Sequence, residues 1–579
     1  MKITGAELLV KALRREKVDI LFGFPGGAVI PLFDALYVEK GIRVVLTRHE
    51  QGAVHAADGY ARSTGKTGVC IATSGPGATN TITGLATANF DSVPLVCITG
   101  QVPSSMIGND AFQEADTVGL SRPVTKHNYL VTARRDLSRI IKEAFTLASS
   151  GKPGPVLIDL PKDIFLELEE YDYPDQVTIR GYNPVITGHP GQIQKAAAAL
   201  KNAKRPLFYI GGGINISGAS EIFRRIVEKT GVPSVTSLMG LGVLPRQNKE
   251  NLGMLGMHGT YVANMAVTNC DLLFAIGTRF DDRATGDLTK FAPHARIIHI
   301  DIDTAAIARN VPVEIPIVGD ADNILKSLYP LLTATDTKNW HRQIEEWKIE
   351  HPLDNNREGE YLTPQGVIQA INQVFPEAII TTEVGQNQMW TALYYDFKHP
   401  CTFLTSGGLG TMGYGFPAAI GAQIGNRNKK VIDIAGDGSI QMNIQELATA
   451  VIEELPVIVA ILNNGYLGMV RQWQELFCNG RYSSTCLGRS NDYPDNYNEQ
   501  GNDCPAYIPD FVKLAEAYNA IGLRVKRHSE VIPALEEAEK STRKPVFIDF
   551  LIEKEANVWP MVPPGAGINE MIFSKEDLK

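Results

Sequence analysis

Three doubly wound parallel-sheet α/β domains in series are the fold class this sequence predicts, and three observations predict it. The chain has 579 residues, more than one hydrophobic core usually supports. Short apolar runs alternate with helical patterns almost end to end, which reads as βαβ units with parallel sheets. One strand–turn–helix–strand stretch also occurs twice: residues 74–94 read SGPGATNTITGLATANFDSVP, and residues 435–456 read AGDGSIQMNIQELATAVIEELP. Each copy has a G-x-G turn, then Leu-Ala-Thr-Ala, then a Pro before the next apolar run. The copies differ where Gly75-Pro76-Gly77 becomes Gly436-Asp437-Gly438, and the run after the second copy ends in a polar pair, Asn463-Asn464. With the carboxylate and amide in one copy only, the duplication implies two related domains, one binding a metal and the other facing it.

Taken in order, residues 1–168 form the first domain, with strand-like runs VVLT, GVCIAT, PLVCITG and PVLIDLP. A polar, Pro- and Tyr-bearing stretch near 170–190 reads as a linker. Residues 190–340 form the second domain through PLFYIGGG, VPSVTS, DLLFAIG and RIIHIDID, and the acidic, Trp-bearing segment 335–362 reads as a second linker. Residues 363–553 form the third through AIITTE, VIDIAGDG, PVIVAILNN and PVFIDFLI, followed by a tail over 554–579. Residues 487–507 have no periodicity; a loop of that length is functional or disordered, disorder being the commoner case. In such sheets ligands sit beyond the carboxyl ends of the strands, where the motifs at Gly75, Gly211 and Gly436 fall.

Composition excludes several classes. Hydrophobic residues at 44% and charged residues at 21% fit a soluble globular protein. A formal net charge of −9 argues against nucleic-acid and membrane partners. No run of 18 apolar residues is present, and the amphipathic start MKITGAELLVKALRREKVD lacks a signal-peptide core. Seven cysteines without a C-x-x-C suit a reducing compartment, and Cys478, Cys486 and Cys504 read as surface or packing residues.

Three motif matches fail on spacing. Gly59 to Gly65-Lys66-Thr67 has five residues between its glycines where a phosphate-cradling P-loop has four. His49 and His55 are six apart, too far for the one-turn spacing of a zinc helix. Gly211-Gly212-Gly213 lacks the third glycine of a dinucleotide fingerprint, leaving a tight strand exit that either approaches a phosphate or simply turns.

Asp437 and Asn464 lie 27 residues apart, each just after an apolar run ending at one sheet edge. A hard cation such as Mg²⁺ takes one carboxylate plus neutral oxygens and those of a bound phosphate, and this pair supplies a carboxylate and an amide oxygen. The glycines flanking Asp437 let backbone N–H groups approach the phosphate.

At this point the residues resemble a family. GDGS with the paired asparagines, and Arg48-His49-Glu50-Gln51, resemble the diphosphate motif and activating-glutamate strand end of thiamine-diphosphate enzymes. The resemblance runs over nearly the whole chain and is closest to acetohydroxyacid synthase catalytic subunits. It is carried by FGFPGGAVIP, RHEQGAVHAADGYAR, IGNDAFQE, GKPGPVLIDLPKD, LGMHGT, GTRFDDRATG, EVGQNQMW, TSGGLGTMGYGFPAAIGA and NNGYLGMVRQWQ.

The resemblance implies decarboxylation of pyruvate and ligation of its two-carbon unit to a second pyruvate or 2-ketobutyrate. That is the first common step of branched-chain amino-acid biosynthesis. It implies thiamine diphosphate, Mg²⁺ and a structural, non-redox FAD. Asp437, Asn464 and the main chain of Tyr466 would hold the metal. Gly385, Gln386, Gly438, Ser439, Leu467 and Gly468 would line the diphosphate, and Met412 would wedge the cofactor into its bent shape. Glu50 of a partner subunit would bond N1′ of the aminopyrimidine, so the first domain is expected to bind the pyrimidine and the third the diphosphate. Sharing a proton there requires a raised pKa, which apolar neighbours such as Ala53, Val54 and Ala56 favour. Phe112, Gln113 and Lys162 would line the second step, and Trp473 would shape the acceptor pocket. Gly212, Gly213, Met257, His258, Gly259, Arg279, Asp282, Arg283, Asp301 and Asp320 would line the flavin. A homodimer or dimer of dimers, a regulatory small subunit, and a cytoplasmic or plastid-stromal location follow as expectations.

Three departures stand out: Asn387 where the family usually has His, a 487–507 loop longer than the usual connection and placed soon after Trp473 where an active-site lid is expected, and Pro564 in the tail. The alternative reading is another thiamine-diphosphate enzyme such as a pyruvate oxidase.

Overall fold

The computed structural model describes residues 2–353, 362–487 and 508–578. Apart from Leu487, the aperiodic loop noted above lies outside the described residues. Among the described residues, three six-stranded sheets follow one another along the chain. The first is ordered Arg43–Leu46, Ile20–Gly23, Gly68–Ala72, Leu95–Gln101, Pro155–Pro161, His127–Leu130, with every pair parallel. The second runs Asn251–Met254, Ser234–Thr236, Pro206–Ile210, Leu272–Ile276, Arg296–Asp301, Ile315–Val318, again all parallel. The third runs Phe403–Leu404, Ile379–Thr382, Val431–Gly436, Ile458–Asn463, Val546–Leu551, Ile521–Val525, likewise parallel. Helices connect the strands, so central strands are buried on both faces and read as continuous apolar runs.

The first and third sheets share one strand order: counted in sequence within each sheet, the second strand lies at the edge, then the first, third, fourth, sixth and fifth. Both repeat copies leave the third strand of their sheet, Gly68–Ala72 and Val431–Gly436. The sequence repeat is therefore a topological one.

These two units pack on each other within one chain. Helix Glu50–Thr64 lies against helix Gly415–Gly425, and Ala56, Ala57, Phe416 and Ile420 share one core. Glycine permits the close crossing: a methyl group on Gly421 would overlap the carbonyl oxygen of Ala56, and one on Gly59 that of Ala418.

The second linker expectation is overturned. Residues Lys338–Glu350 form a helix that buries Trp340, Ile344 and Trp347 against the central sheet. Their spacing puts all three on one helical face, and the Trp340 indole N–H donates to the Pro206 carbonyl at 3.1 Å. The stretch before Pro190 has no regular structure beyond Glu170. The tail returns to the central unit, where the Val562 amide donates to the Met257 carbonyl at 2.8 Å and Gly567 pairs with Gly286. Pro564 sits in a turn closed by the Ala566 amide on the Pro563 carbonyl at 3.1 Å. Cys70, Cys97, Cys270, Cys401 and Cys478 are free thiols. Cys486 is disulfide-bonded, against the reading of it as an ordinary surface or packing residue. Among the described residues, no helix is long and apolar enough to cross a membrane.

Candidate active site

Strands Val431–Gly436 and Ile458–Asn463 are adjacent and parallel, with Gly436 beside Leu462. Asp437 and Asn464 therefore leave the sheet at the same edge. Asp437 is 2% exposed; its carboxylate accepts from the amides of Gly465 at 2.7 Å and Gly438 at 3.0 Å. Burial pushes its pKa up to about 7 in spite of those amides. The Asn464 Oδ1 accepts from the Tyr466 amide at 3.0 Å.

A small cleft of about 90 Å³ opens at this edge, and Gly385, Gln386, Met412, Asp437, Gly438, Ser439, Asn464, Tyr466, Leu467 and Gly468 all line it. These are all the residues expected around the diphosphate and metal. Among the described residues no group of three His, Cys, Asp or Glu could hold a metal. A cation here would instead draw on one carboxylate, an amide oxygen, main chain and phosphate oxygens, a set that suits Mg²⁺. A cation would also favour the ionised Asp437 that burial alone disfavours.

Glu50 opens the Glu50–Thr64 helix, is 8% exposed, and accepts from the Asn80 side-chain Nδ2 at 2.9 Å. The Gly75-Pro76-Gly77 turn lies between it and Gln113: a methyl group on Gly77 would lie 3.4 Å from the Glu50 Oε1, and one on Gly75 2.8 Å from the Gln113 Cα. Gln113 itself has a left-handed φ of 59°. Its neighbour Phe112 is 88% exposed, and the half-buried Lys162 starts a helix directly after strand Pro155–Pro161. None of Glu50, Phe112, Gln113 or Lys162 lines the small cleft of its own chain.

A second cleft, of about 950 Å³, adjoins the first through Gly385 and Met469. Gly212, Gly213, Met257, His258, Arg279, Asp282, Arg283, Asp301 and Asp320 line it, together with Trp473. Gly259 does not: it turns inward, its amide donating to the Gly256 carbonyl at 2.9 Å, and a methyl group there would meet the Leu255 backbone. Gly213 donates to the Gly277 carbonyl at 3.0 Å, bringing two strand exits together. Burial takes the His258 pKa down to about 4. Trp473 lies edge-on to Phe477, with Arg283 over its ring at 6.0 Å.

Sequence reasoning missed several groups here. Phe90, Asp91 and Lys152 of the first unit line the large cleft, and Lys152 pairs with Asp303 at 2.9 Å. No local pattern links positions so distant in the chain. Asn387 lines the small cleft, but its side-chain NH₂ donates to the carbonyls of Glu383 at 3.0 Å and Ile434 at 2.7 Å. That amide is committed to the protein backbone. Behind it, Glu383 and Asp433 are buried together; burial lifts Glu383 to about 7 and, with the Glu383 charge, holds Asp433 well above the usual carboxylate range.

Comparison with known proteins shows the family. The N-terminal TPP binding domain of thiamine pyrophosphate enzymes matches residues 3–120, their central domain residues 193–328, and their C-terminal TPP binding domain residues 383–550. The chain is 46% identical to the acetolactate synthase large subunit of Haemophilus influenzae, over 99% of both chains. It is also 46% identical to the acetolactate synthase isozyme 3 large subunit of Escherichia coli, over 99% of both. Identity to the large subunit of Corynebacterium glutamicum is 48%, over 99% of this chain and 90% of that one.

Proposed function

The chain belongs to the acetolactate synthase large subunits of the thiamine pyrophosphate enzymes, and from that premise we propose how its residues share the work. The reaction decarboxylates pyruvate and joins the two-carbon unit to a second pyruvate or to 2-ketobutyrate, opening branched-chain amino-acid biosynthesis. Asp437, Asn464 Oδ1 and the Tyr466 carbonyl hold Mg²⁺. Gly385, Gln386, Gly438, Ser439, Leu467 and Gly468 would surround the diphosphate, and Met412, lining the same cleft, would wedge the cofactor. When bound, thiamine diphosphate supplies the electron sink for loss of CO₂.

The partner subunit's Glu50 holds a proton at N1′ of the aminopyrimidine. Gln113 and Lys162 donate to carboxylate or carbonyl oxygens of the 2-keto acids, Phe112 lines the same step and Trp473 shapes the acceptor pocket. The large cleft holds FAD in a structural role. Its volume lies within the usual range for small-molecule and cofactor sites, and Arg279, Arg283 and Lys152 supply cations suited to phosphates. The active unit is a homodimer or dimer of dimers. A regulatory small subunit fits a chain whose relatives are named large subunits, and the setting is the cytoplasm or the plastid stroma.

The observation that carries this reading is the single cleft at which all the assigned diphosphate and metal residues meet. The test is product analysis with pyruvate, alone and with 2-ketobutyrate, without an added electron acceptor. Acetolactate and acetohydroxybutyrate are expected. Acetaldehyde as sole product, or turnover only with an electron acceptor, would overturn it.

A further inference from the structure

The 405–414 segment has no regular secondary structure, yet it forms a wall common to both clefts. Ser406, Gly407, Gly408, Leu409 and Gly410 line the large one, and Met412 lines the small one. Backbone outside a helix or sheet must satisfy its polar groups elsewhere, and here the first unit of the same chain supplies much of what is needed. The Asp91 carboxylate accepts from the amides of Gly407 at 3.0 Å and Gly408 at 2.8 Å. Arg62 donates to Asp91 at 3.0 Å, to Asp58 at 2.6 Å and to the Thr405 carbonyl at 2.9 Å. At the far end the Tyr414 hydroxyl donates to Asp58 at 2.7 Å, and the Thr87 and Thr411 hydroxyls meet at 2.8 Å.

The side chains of Asp58 and Asp91 are 0% and 1% exposed, and that of Arg62 10%. Burial opposes the Arg62 charge, but Asp58, Tyr414 and Asp91 outweigh it, and the guanidinium stays charged. The grip is also close: a methyl group on Gly408 would meet Phe90 at 2.8 Å, Asp91 at 3.0 Å and Arg279 at 3.1 Å.

We propose that Asp91, backed by Arg62, is a positioning residue that couples the two clefts by fixing the segment they share. This rests on the cofactor reading above. Filling the large cleft stabilises the 406–410 arrangement that Asp91 holds, and Met412 is presented by the same backbone. Each ligand then tightens the other, and linkage makes the two factors equal.

The experiment measures thiamine diphosphate affinity at fixed Mg²⁺ with and without FAD, and FAD affinity with and without thiamine diphosphate. Protein fluorescence reports the first and flavin absorbance the second. In the wild-type protein the two factors should be equal and on the order of 5–150-fold. Asp91→Asn, which weakens the ionic link to Arg62, should bring the factor close to one. Should Asp91→Asn fail to fold, Thr87→Val removes the hydroxyl's bond to Thr411, along with its bond to the Thr83 carbonyl in its own helix, and should lower the factor more modestly. A wild-type factor of one overturns the coupling, as does an unchanged factor in a folded variant, even one with a lowered melting temperature. Wild-type protein that binds neither ligand would overturn the cofactor reading itself, and the coupling with it.

Discussion

Glu50, Trp473 and Asp433 are three residues whose surroundings set distinct expectations. Glu50 is buried beside Asn80, so Glu50→Gln should preserve folding and cofactor affinity. Turnover should fall roughly 10²–10⁴-fold, the usual contribution of a positioned proton donor. Steady-state kinetics beside a thiamine diphosphate titration would show this; near wild-type turnover would remove Glu50 from the chemistry. Trp473 lines the large cleft near its junction with the small one, so Trp473→Leu should shift acceptor choice while keeping most pyruvate turnover. Discrimination of one methylene is worth about 1–3 kcal/mol, read as a lower ratio of acetohydroxybutyrate to acetolactate in competition. A constant ratio with collapsed turnover would make it a packing residue. Asp433 is fully buried, and one of its oxygens has no hydrogen-bond partner among the described residues. Burial, and then the Glu383 charge, hold its folded pKa well above the usual carboxylate range, so the folded state binds the proton more tightly than the unfolded chain. That contribution is complete below the unfolded value and is lost as pH rises toward the folded one. Asp433→Asn should therefore gain stability relative to wild type as pH rises above the ordinary carboxylate range, compared at pH 5 and pH 8. Urea midpoints at both pH values would check it, and a pH-independent difference would refute it. Asp437 and Asn464 were legible because glycines and apolar runs flank them; Asp433 was hidden inside an apolar run.

Among the elements, the helix pair Glu50–Thr64 and Gly415–Gly425 fixes how the related units meet. Both helices are rich in Ala and Gly, which sequence alone reads as weak patterning. In the fold those small residues let two backbones touch. Gly421→Ala should cost about 1–3 kcal/mol by overpacking against Ala56. Gly27→Ala, with no neighbour within 4 Å, should stay within about 0.5 kcal/mol. Equal urea midpoints for the two variants would mean that the crossing relaxes freely. The Lys338–Glu350 helix shows the converse limit. Its charged residues mimic a linker, and only its packing against the Pro206 strand reveals Trp340 and Trp347 as core.

For the whole molecule, the decisive arrangement is that one chain places Glu50 and the small cleft apart. A site built from two subunits predicts complementation. Co-expressed Glu50→Gln and Asp437→Ala chains, each nearly inactive alone, should form mixed dimers with one intact site. Random pairing would restore about a quarter of wild-type activity, since symmetric dimers share equivalent interfaces. Activity no higher than the sum of the separate variants would confine each site to a single chain.

By itself the sequence determined the fold class, the duplicated unit, the Asp437–Asn464 pair and the family, because strand alternation, turn glycines and motif order are local properties. Tertiary structure alone decided which distant residues meet. Asp91 on Gly407 and Gly408, Arg62 between Asp58 and Asp91, Lys152 on Asp303 and Asn387 on its own backbone all join positions with no shared period. It also separated Gly259 from the cleft its neighbours line. Hydrogen bonds and burial between remote segments depend on how helices and sheets pack, and packing leaves no periodic trace along the chain.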